Sequence, residues 1–425
     1  MMERIINLLK SDKEISDYRV NAQKRESYEL FFVHKKLETV RSTDTTDLKA
    51  TVFMLHDGKL GDATFSVYAS DTDAALTKKI EAAKKKALLI NNEPYPLPEG
   101  ETGSFESESN FKEFSPHELA AKIADAVFAA DSYENGALNA TEIFVYRDTV
   151  SVKNSRGIDK SEVKHHAMVE AIPTWNGSGE SVELYECYSF GELDAEAIRT
   201  EIDTRMKEVR DRIDATAPKE KLSCPVYIPA AELYQLVANL AMELTFDSAY
   251  KHMNAFEVGG KIQKSPTGDK LTLSMMGSLK GCVGSAAFDS DGLTAKDTEV
   301  IKDGVAEAMF GSVRYAHYLG KEPTGRLRCI RTECGTLTDE ELSRAPYFRI
   351  ASMSGMQIDI YNDYIGGEVR LAYYFDGERE IPVTSVSISG KLSEALSSMR
   401  LSDTETLYES YVGPKGAAFY TVDIV

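Results

Sequence analysis

The 425-residue sequence contains no run approaching the roughly 20 apolar residues of a membrane-spanning helix, and Met1–Lys10 lacks the long apolar segment of a secretory signal. Neither a membrane anchor nor export is expected, and the cytoplasm follows by default. Cysteine is scarce. Cys187, Cys224, Cys282, Cys329 and Cys334 are odd in number, widely spaced and never arranged as Cys-x-x-Cys, which argues against a disulfide framework or a zinc knuckle and fits a reducing compartment. Basic charge is also short: 49 Lys+Arg against 68 Asp+Glu leave a net charge of −19. With no long Lys/Arg run, neither a nucleic-acid backbone nor an anionic membrane surface is expected as the main partner. The densest basic cluster, Lys84 to Lys86 with Lys78 and Lys79 before it, is expected to face solvent on a helix.

What is present describes a globular chain. Hydrophobic residues make up 42% and charged residues 28%, and the length suggests two or three domains with substantial cores. Tyr28–Val33, Leu48–Leu55 and Gly61–Tyr68 read as strands of a small antiparallel sheet turning at His56-Asp57-Gly58, and Asp73–Ile90 has the spacing of a helix packed on it. Asn91–Asn110, with three prolines and few apolar anchors, reads as an exposed connection. A second unit of similar order opens at Ser115-Pro116-His117-Glu118, a capped helix start. It continues with strands in Thr141–Tyr146, Thr149–Asn154, Ser161–Pro173 and Ser181–Phe190, a turn at 175–179, and a helix over Asp194–Ala215.

Ala217-Pro218-Lys219-Glu220 is the expected boundary, giving an N-terminal domain of residues 1–218 and a C-terminal domain of residues 219–425. The latter opens with a strand, Cys224–Ile228, and a helix, Ala230–Thr245. It then becomes strands and Gly-rich turns, with a helical region within Thr298–Gly320 and a capped segment at Thr336–Glu341. The expected fold class is α+β: an N-terminal mixed α/β domain followed by a large β-dominated C-terminal domain with peripheral helices.

Elementary chemistry finds no active site in this pattern. His165 and His166 are neighbours in a strand and point to opposite faces, so they cannot readily share one metal. His252 has no second nitrogen donor nearby, and three or four converging ligands are needed for zinc. Gly277–Ser285 lacks the Gly-Lys-Ser/Thr ending of a phosphate-binding loop, and Asp289-Ser290-Asp291-Gly292 is too short of oxygen ligands for a calcium loop; both read as turns. Cys282, Cys329 and Cys334 have no readable histidine partner and read as small core residues.

An ordered set of segments in the C-terminal half is more specific. Gly284–Gly292, Ile301-Lys302-Asp303-Gly304, Ala316-His317-Tyr318-Leu319-Gly320 and Pro323-Thr324-Gly325 are followed by Gly335, Thr338–Leu342 and Gly366-Gly367. Tyr373–Gly377, Ile381-Pro382-Val383 and Ser387–Gly390 complete the series. In this order the sequence resembles the TldD/PmbA family, once described as DNA gyrase modulators, and Asn154-Ser155-Arg156-Gly157 is compatible with its N-terminal domain.

The resemblance implies a family that pairs a zinc peptidase subunit with a homologous TldE or PmbA subunit in peptide maturation and breakdown of unfolded substrates. In the zinc subunit a helical His-Glu-x-x-x-His motif and a late cysteine form the site. The matching helix here is Ala230–Thr245, where Val237, Ala238 and Met242 fall near the motif positions; Gly413–Ala418 likewise has no cysteine. These side chains cannot replace imidazole ligands or polarise water, so the sequence resembles the PmbA/TldE-like branch without the zinc motif.

The resemblance therefore implies no catalytic residue, metal or cofactor in this chain, with zinc only in a homologous partner. It further implies a dimer with a TldD-like zinc subunit or with itself, and an extended or unfolded peptide as substrate. Asn154, Ser155, Gly157, Glu257, Gly259 and Gly260 are the candidate peptide-groove positions, because polar and glycine positions there could approach a peptide backbone. The alternatives are a metal-independent hydrolase acting alone and a homodimeric peptide-binding scaffold.

Overall fold

A computed structural model describes residues 1–177 and 179–425. The chain starts with helix α1 (Met2–Ser11), then strands β1 (Asp17–Val33), β2 (Lys36–His56) and β3 (Lys59–Ser66), helix α2 (Asp73–Ala87) and strand β4 (Thr102–Glu106). Helix α3 (Pro116–Ala129) precedes β5 (Gly136–Asn154), β6 (Asp159–Asn176), β7 (Ser181–Glu183), β8 (Glu186–Phe190) and helix α4 (Ala195–Asp214). All eight strands belong to one sheet of main order β3-β2-β1-β5-β6-β4, with β7 and β8 paired to β6.

Strand alternation sorts this sheet into two unlike faces. Val20, Leu30, Ile143, Val145, Ala167 and Val169 point toward the helices and are buried, in two clusters completed by α1 and α2 and by α3 and α4. The opposite face carries Arg19, Arg25, Glu29, Asp148, Lys160, Glu162, Lys164 and His166, and its polarity explains why much of the sheet escapes a hydrophobic-alternation reading.

Several local expectations change accordingly. The two small N-terminal units are one sheet, because β1 pairs along its length with both β2 and β5. Asn91–Asn110 is not merely an exposed connection: it contains β4, which pairs in parallel with β6, and Leu97 is buried. Lys84 does not face solvent. It is 6% exposed and meets Asp12, Glu14 and Glu81 at 2.9, 2.5 and 2.9 Å; burial opposes its charge, and the three carboxylates outweigh that cost and raise its pKa. The helix at Met2–Ser11 has no counterpart in the sequence reading; Ile5 and Leu9 fasten it to the sheet. The capped start at Ser115 forms as expected, and Asp194 is found to cap α4 as well, each side chain accepting from the helix's first turn. The turn expected over 175–179 includes Ser178, which lies outside the described residues.

The C-terminal half begins with β9 (Val226–Pro229), α5 (Ala230–Met242), α6 (Phe246–Tyr250), β10 (Leu273–Met276), β11 (Thr298–Lys302) and β12 (Val305–Ala306). The helical region expected within Thr298–Gly320 thus opens as two strands, and only α7 (Val313–Tyr318) is helical. There follow β13 (Cys329–Thr332), α8 (Asp339–Leu342), β14 (Tyr347–Met353), β15 (Gln357–Asp359), β16 (Tyr364–Phe375), β17 (Glu380–Val383) and β18 (Val386–Gly390). The chain ends with α9 (Leu392–Ser398), β19 (Arg400–Leu401), β20 (Glu405–Tyr408), β21 (Tyr411–Pro414), β22 (Gly416–Phe419) and β23 (Asp423–Ile424).

These strands make a six-stranded sheet, β12-β11-β10-β13-β21-β20, and a nine-stranded sheet, β19-β22-β9-β14-β16-β18-β23 with β15 and β17 on β16. One apolar cluster joins them: Leu233, Leu236, Val237 and Leu240 of α5 pack with Leu273 and Ile330 of the first sheet and Phe348 and Ile388 of the second. The expected class, a mixed N-terminal region before a large β-rich C-terminal region with interspersed helices, is what the chain adopts. Among the described residues no helix is long and apolar enough to cross a membrane.

Candidate functional site

The polar face of the N-terminal sheet divides into two parts. At one end it holds the C-terminal half. Lys160 Nζ donates to Gly292 O at 2.9 Å and Thr294 Oγ1 at 2.6 Å, and pairs with Glu101. Glu162 accepts from Ala287 N at 3.1 Å, and Arg19 pairs with Asp291. Further along, the face carries a ladder of side chains. Arg25 donates to both Asp148 oxygens at 2.8 and 2.6 Å, lies 4.5 Å from the Tyr146 ring centre, and Tyr146 stacks on His166 at 4.7 Å. Burial pushes the His166 imidazole down to about 4, with Arg25, Lys164 and His165 acting in the same direction and Asp148 against it. His166 is therefore neutral at pH 7. His165, on the other face, meets Glu106 at 3.2 Å, so the two histidines do separate as the strand period requires.

A second feature lies along β2. Its partner β3 pairs only with Lys49–His56, while β1 covers the inner side from Lys36 to Phe53. Among the described residues nothing pairs with the outer edge of residues 36–47. This is an open sheet edge of twelve residues, nearly all exposed. The sequence signal was present in Thr39, Val40, Thr43, Thr45 and Thr46, β-branched residues suited to a strand, but the polar character of both faces obscured it.

The helix expected to correspond to the metal-bearing element is α5. Val237 is fully buried, Ala238 is packed against the core, and Met242 is 60% exposed. Among the described residues no group of three or more His, Cys, Asp or Glu could hold a metal ion. Near the start of α5, Glu232 is 9% exposed and its Oε2 has no hydrogen-bond partner. It belongs to an acidic junction around Arg205 of α4, which meets Glu201 and Glu208 at 2.7 Å and Glu186 at 3.6 Å. Burial raises the Glu186 carboxyl to about 7, Arg205 opposing and Glu208, Glu201 and Glu232 reinforcing.

The candidate groove positions fall in two places. Asn154 accepts from Arg156 N and Ile158 N at 2.9 and 3.0 Å and donates to Pro98 O at 2.7 Å. Ser155 Oγ donates to Asp17 at 2.6 Å, and Gly157 takes a φ of 90° that favours glycine. On the C-terminal side, Gly260 N donates to Glu257 O at 2.8 Å and Gly259 N to Ala306 O at 2.7 Å beside β12. Among the described contacts none joins the two groups. Gly277–Ser285 is a closed turn whose amides serve the protein itself, Leu279 N donating to Ser285 Oγ at 3.0 Å and Cys282 N to Leu279 O at 3.1 Å. Asp289 Oδ1 likewise accepts from Asp291 N and Leu293 N at 2.9 and 3.1 Å.

Residues 221–419 match the PmbA/TldA metallopeptidase C-terminal domain. The whole fold is similar to that of TldE from Thermococcus kodakarensis, with a TM-score of 0.81 at 17% identity over 100% of this chain and 99% of that one. It is also similar to two proteins named as modulators of DNA gyrase. The Thermotoga maritima protein gives 0.79 at 16% identity over 100% and 99% of the two chains. The Bacteroides thetaiotaomicron protein gives 0.79 at 14% over 100% and 96%. No curated protein matches the chain in sequence. The match over residues 221–419 and the likeness of the whole fold agree with the resemblance to the TldD/PmbA family that the ordered C-terminal segments carry.

Proposed function

We propose that this chain is a non-catalytic, PmbA/TldE-like subunit of a cytoplasmic metallopeptidase complex. In this reading it assembles with a homologous TldD-like zinc subunit, or with a second copy of itself, and helps enclose an extended or unfolded peptide. The chain needs no cofactor of its own; zinc resides in the homologous partner. The observation that carries the peptide-binding part is the open outer edge of β2. Main-chain groups there offer the hydrogen bonds common to every peptide, while side chains of alternate residues contact the bound strand, which suits varied sequences. Exposed Leu37 and Val40, 45% and 46% accessible, supply apolar contacts. The loops at Asn154, Ser155 and Gly157 and at Glu257, Gly259 and Gly260 are secondary positions in the proposal, offering backbone rather than side-chain contacts.

The α5 positions support the non-catalytic part, since valine, alanine and methionine neither bind zinc nor activate water. The test is cleavage of an unfolded peptide by the purified chain, with bound metal quantified, with and without the co-expressed zinc-bearing homologue. Cleavage only in the presence of the homologue, with no metal in this chain, is expected. Zinc-dependent cleavage by this chain alone overturns the proposal, and chelator-resistant cleavage by it favours the metal-independent hydrolase.

A further inference from the structure

The helix-bearing face of the N-terminal sheet is not covered along its whole length. Register sets Glu26 of β1 opposite Arg147 of β5, and Arg147 opposite His165 of β6, in one polar row across the sheet. Helix α3 begins only at Pro116, and its Leu119 packs with the next row, Val145 and Ala167. The polar row is therefore left in the floor of a cavity of about 220 Å³ between the sheet and the chain entering α3. Phe111, Phe114 and Leu119 make an apolar wall, while the exposed side chains of Glu106 and Lys112 stand at the rim. Only part of the polar capacity in this cavity is used. Arg147 Nη1 donates to Glu26 Oε2 at 3.1 Å, and among the described residues its Nε and Nη2 have no partner. His165, with a side chain only 9% exposed, meets Glu106 Oε1 through Nε2 at 3.2 Å. Among the described residues its Nδ1 and Glu106 Oε2 have no partner, and Lys112 Nζ has no ion pair.

We propose that this cavity binds a free α-amino acid with an apolar side chain. The carboxylate pairs with Arg147 and Lys112, the ammonium with Glu106 Oε2, and the side chain lies against Phe111, Phe114 and Leu119. Charge decides the class of ligand. Two carboxylates, Glu26 and Glu106, and two cations, Arg147 and Lys112, line the cavity, so a simple anion or a simple cation meets repulsion as well as attraction. A zwitterion engages both signs through charge-assisted hydrogen bonds. Size agrees, because the cavity is smaller than the roughly 300–1,000 Å³ of pockets that take drug-sized ligands. The apolar wall favours a leucine-like or phenylalanine-like side chain over a polar one, which would lose its hydrogen bonds to water there. This inference is independent of the peptide-subunit reading.

Isothermal titration calorimetry of the full-length chain with L-leucine and with L-phenylalanine tests it. Saturable one-to-one binding of at least one of them is expected. Analogues of the amino acid that binds, its amide without the carboxylate and its N-acetyl derivative without the ammonium, should each bind at least about tenfold more weakly, the loss of one charge-assisted pair. Glycine, with no side chain for the wall, should also bind more weakly. Arg147→Ala and Glu106→Gln, at side chains 47% and 49% exposed, should each weaken binding at least about tenfold with the circular dichroism spectrum unchanged. No saturable heat from either amino acid up to its solubility overturns the proposal. So does an amide or N-acetyl analogue that binds as tightly as its parent, or binding undiminished in either variant. The analogues are compared on the unaltered chain, so their result holds even if a variant fails to fold.

Discussion

The two halves bury different things. In the C-terminal half, α5 and strands from both sheets share one apolar cluster. In the N-terminal half a single sheet keeps an apolar face for its helices and turns toward the C-terminal half a face on which Lys160 and Glu162 are 2% and 4% exposed. The contrast teaches that the junction adds buried ions to a small apolar cluster of Val152, Ile158 and Phe288, whereas the C-terminal core is held by apolar contacts. Buried ions demand specific partners and tolerate loss of a partner badly, whereas apolar contacts are broad and less directional.

The largest expected effect separates those two kinds of burial. Arg205→Met leaves Glu201, Glu208 and Glu186 without their cation; because Glu208 is buried while Arg205 and Glu201 are partly exposed, the cost is expected at the lower end of that for breaking a buried pair, about 3 kcal/mol. Urea unfolding followed by circular dichroism measures it, and a loss below about 1 kcal/mol would show that the junction is solvated.

Leu236→Ala removes a side chain 1% exposed in α5 and is expected to cost about 2–5 kcal/mol. Met242→Ala, six residues further along the helix and 60% exposed, should stay within about 0.5 kcal/mol. The pair shows whether α5 is a core helix, as its burial states; equal losses would contradict that.

A pH series sharpens the comparison from the electrostatic side. Glu186 is raised from an ordinary value near 4.5 to about 7; the folded state therefore holds its proton more tightly than the unfolded chain does. That contribution is fully present below about pH 4.5 and is lost as pH rises through about 7. His166 works in the opposite direction, because its folded pKa, about 4, lies below the ordinary 6.5. Its stabilisation is present above about pH 6.5 and is lost as pH falls toward 4. Glu186→Gln should remove the loss of stability between about pH 4.5 and 7, and His166→Gln the opposite gain between about pH 4 and 6.5; an unchanged slope over that window in either variant refutes that assignment.

The smallest effect on stability is expected at the β2 edge. Val40→Lys, at a position 46% exposed, should change folding by no more than about 0.5 kcal/mol while weakening capture of an unfolded peptide, as read by fluorescence anisotropy. Undiminished binding would remove Val40 from the proposed contact.

What the sequence disclosed follows the same division. The α5 stripe and the Ser115 cap were readable because apolar spacing and capping chemistry are local. β4 and the polar lengths of β1 and β2 were not, because Gly103, Ser104 and Thr102 gain their strand conformation from pairing with β6, and the alternation of Arg19, Asn21 and Gln23 is polar against polar. The absence of imidazoles in α5 was readable residue by residue. The convergence of Arg25, Asp148, Tyr146 and His166 depends on sheet register that no spacing in the sequence reveals.

The open edge of β2 has a consequence for the chain in crowded conditions. Twelve residues of unpaired strand are a template on which a second, unwanted copy could add edge to edge and begin a growing aggregate. Lys36, Glu38, Arg41, Asp44 and Asp47 interrupt that stretch with charge, and the net −19 makes copies repel one another. Neutralising these five residues together would turn a peptide-sized docking edge into a seed for insolubility, even though none of them lies in the core.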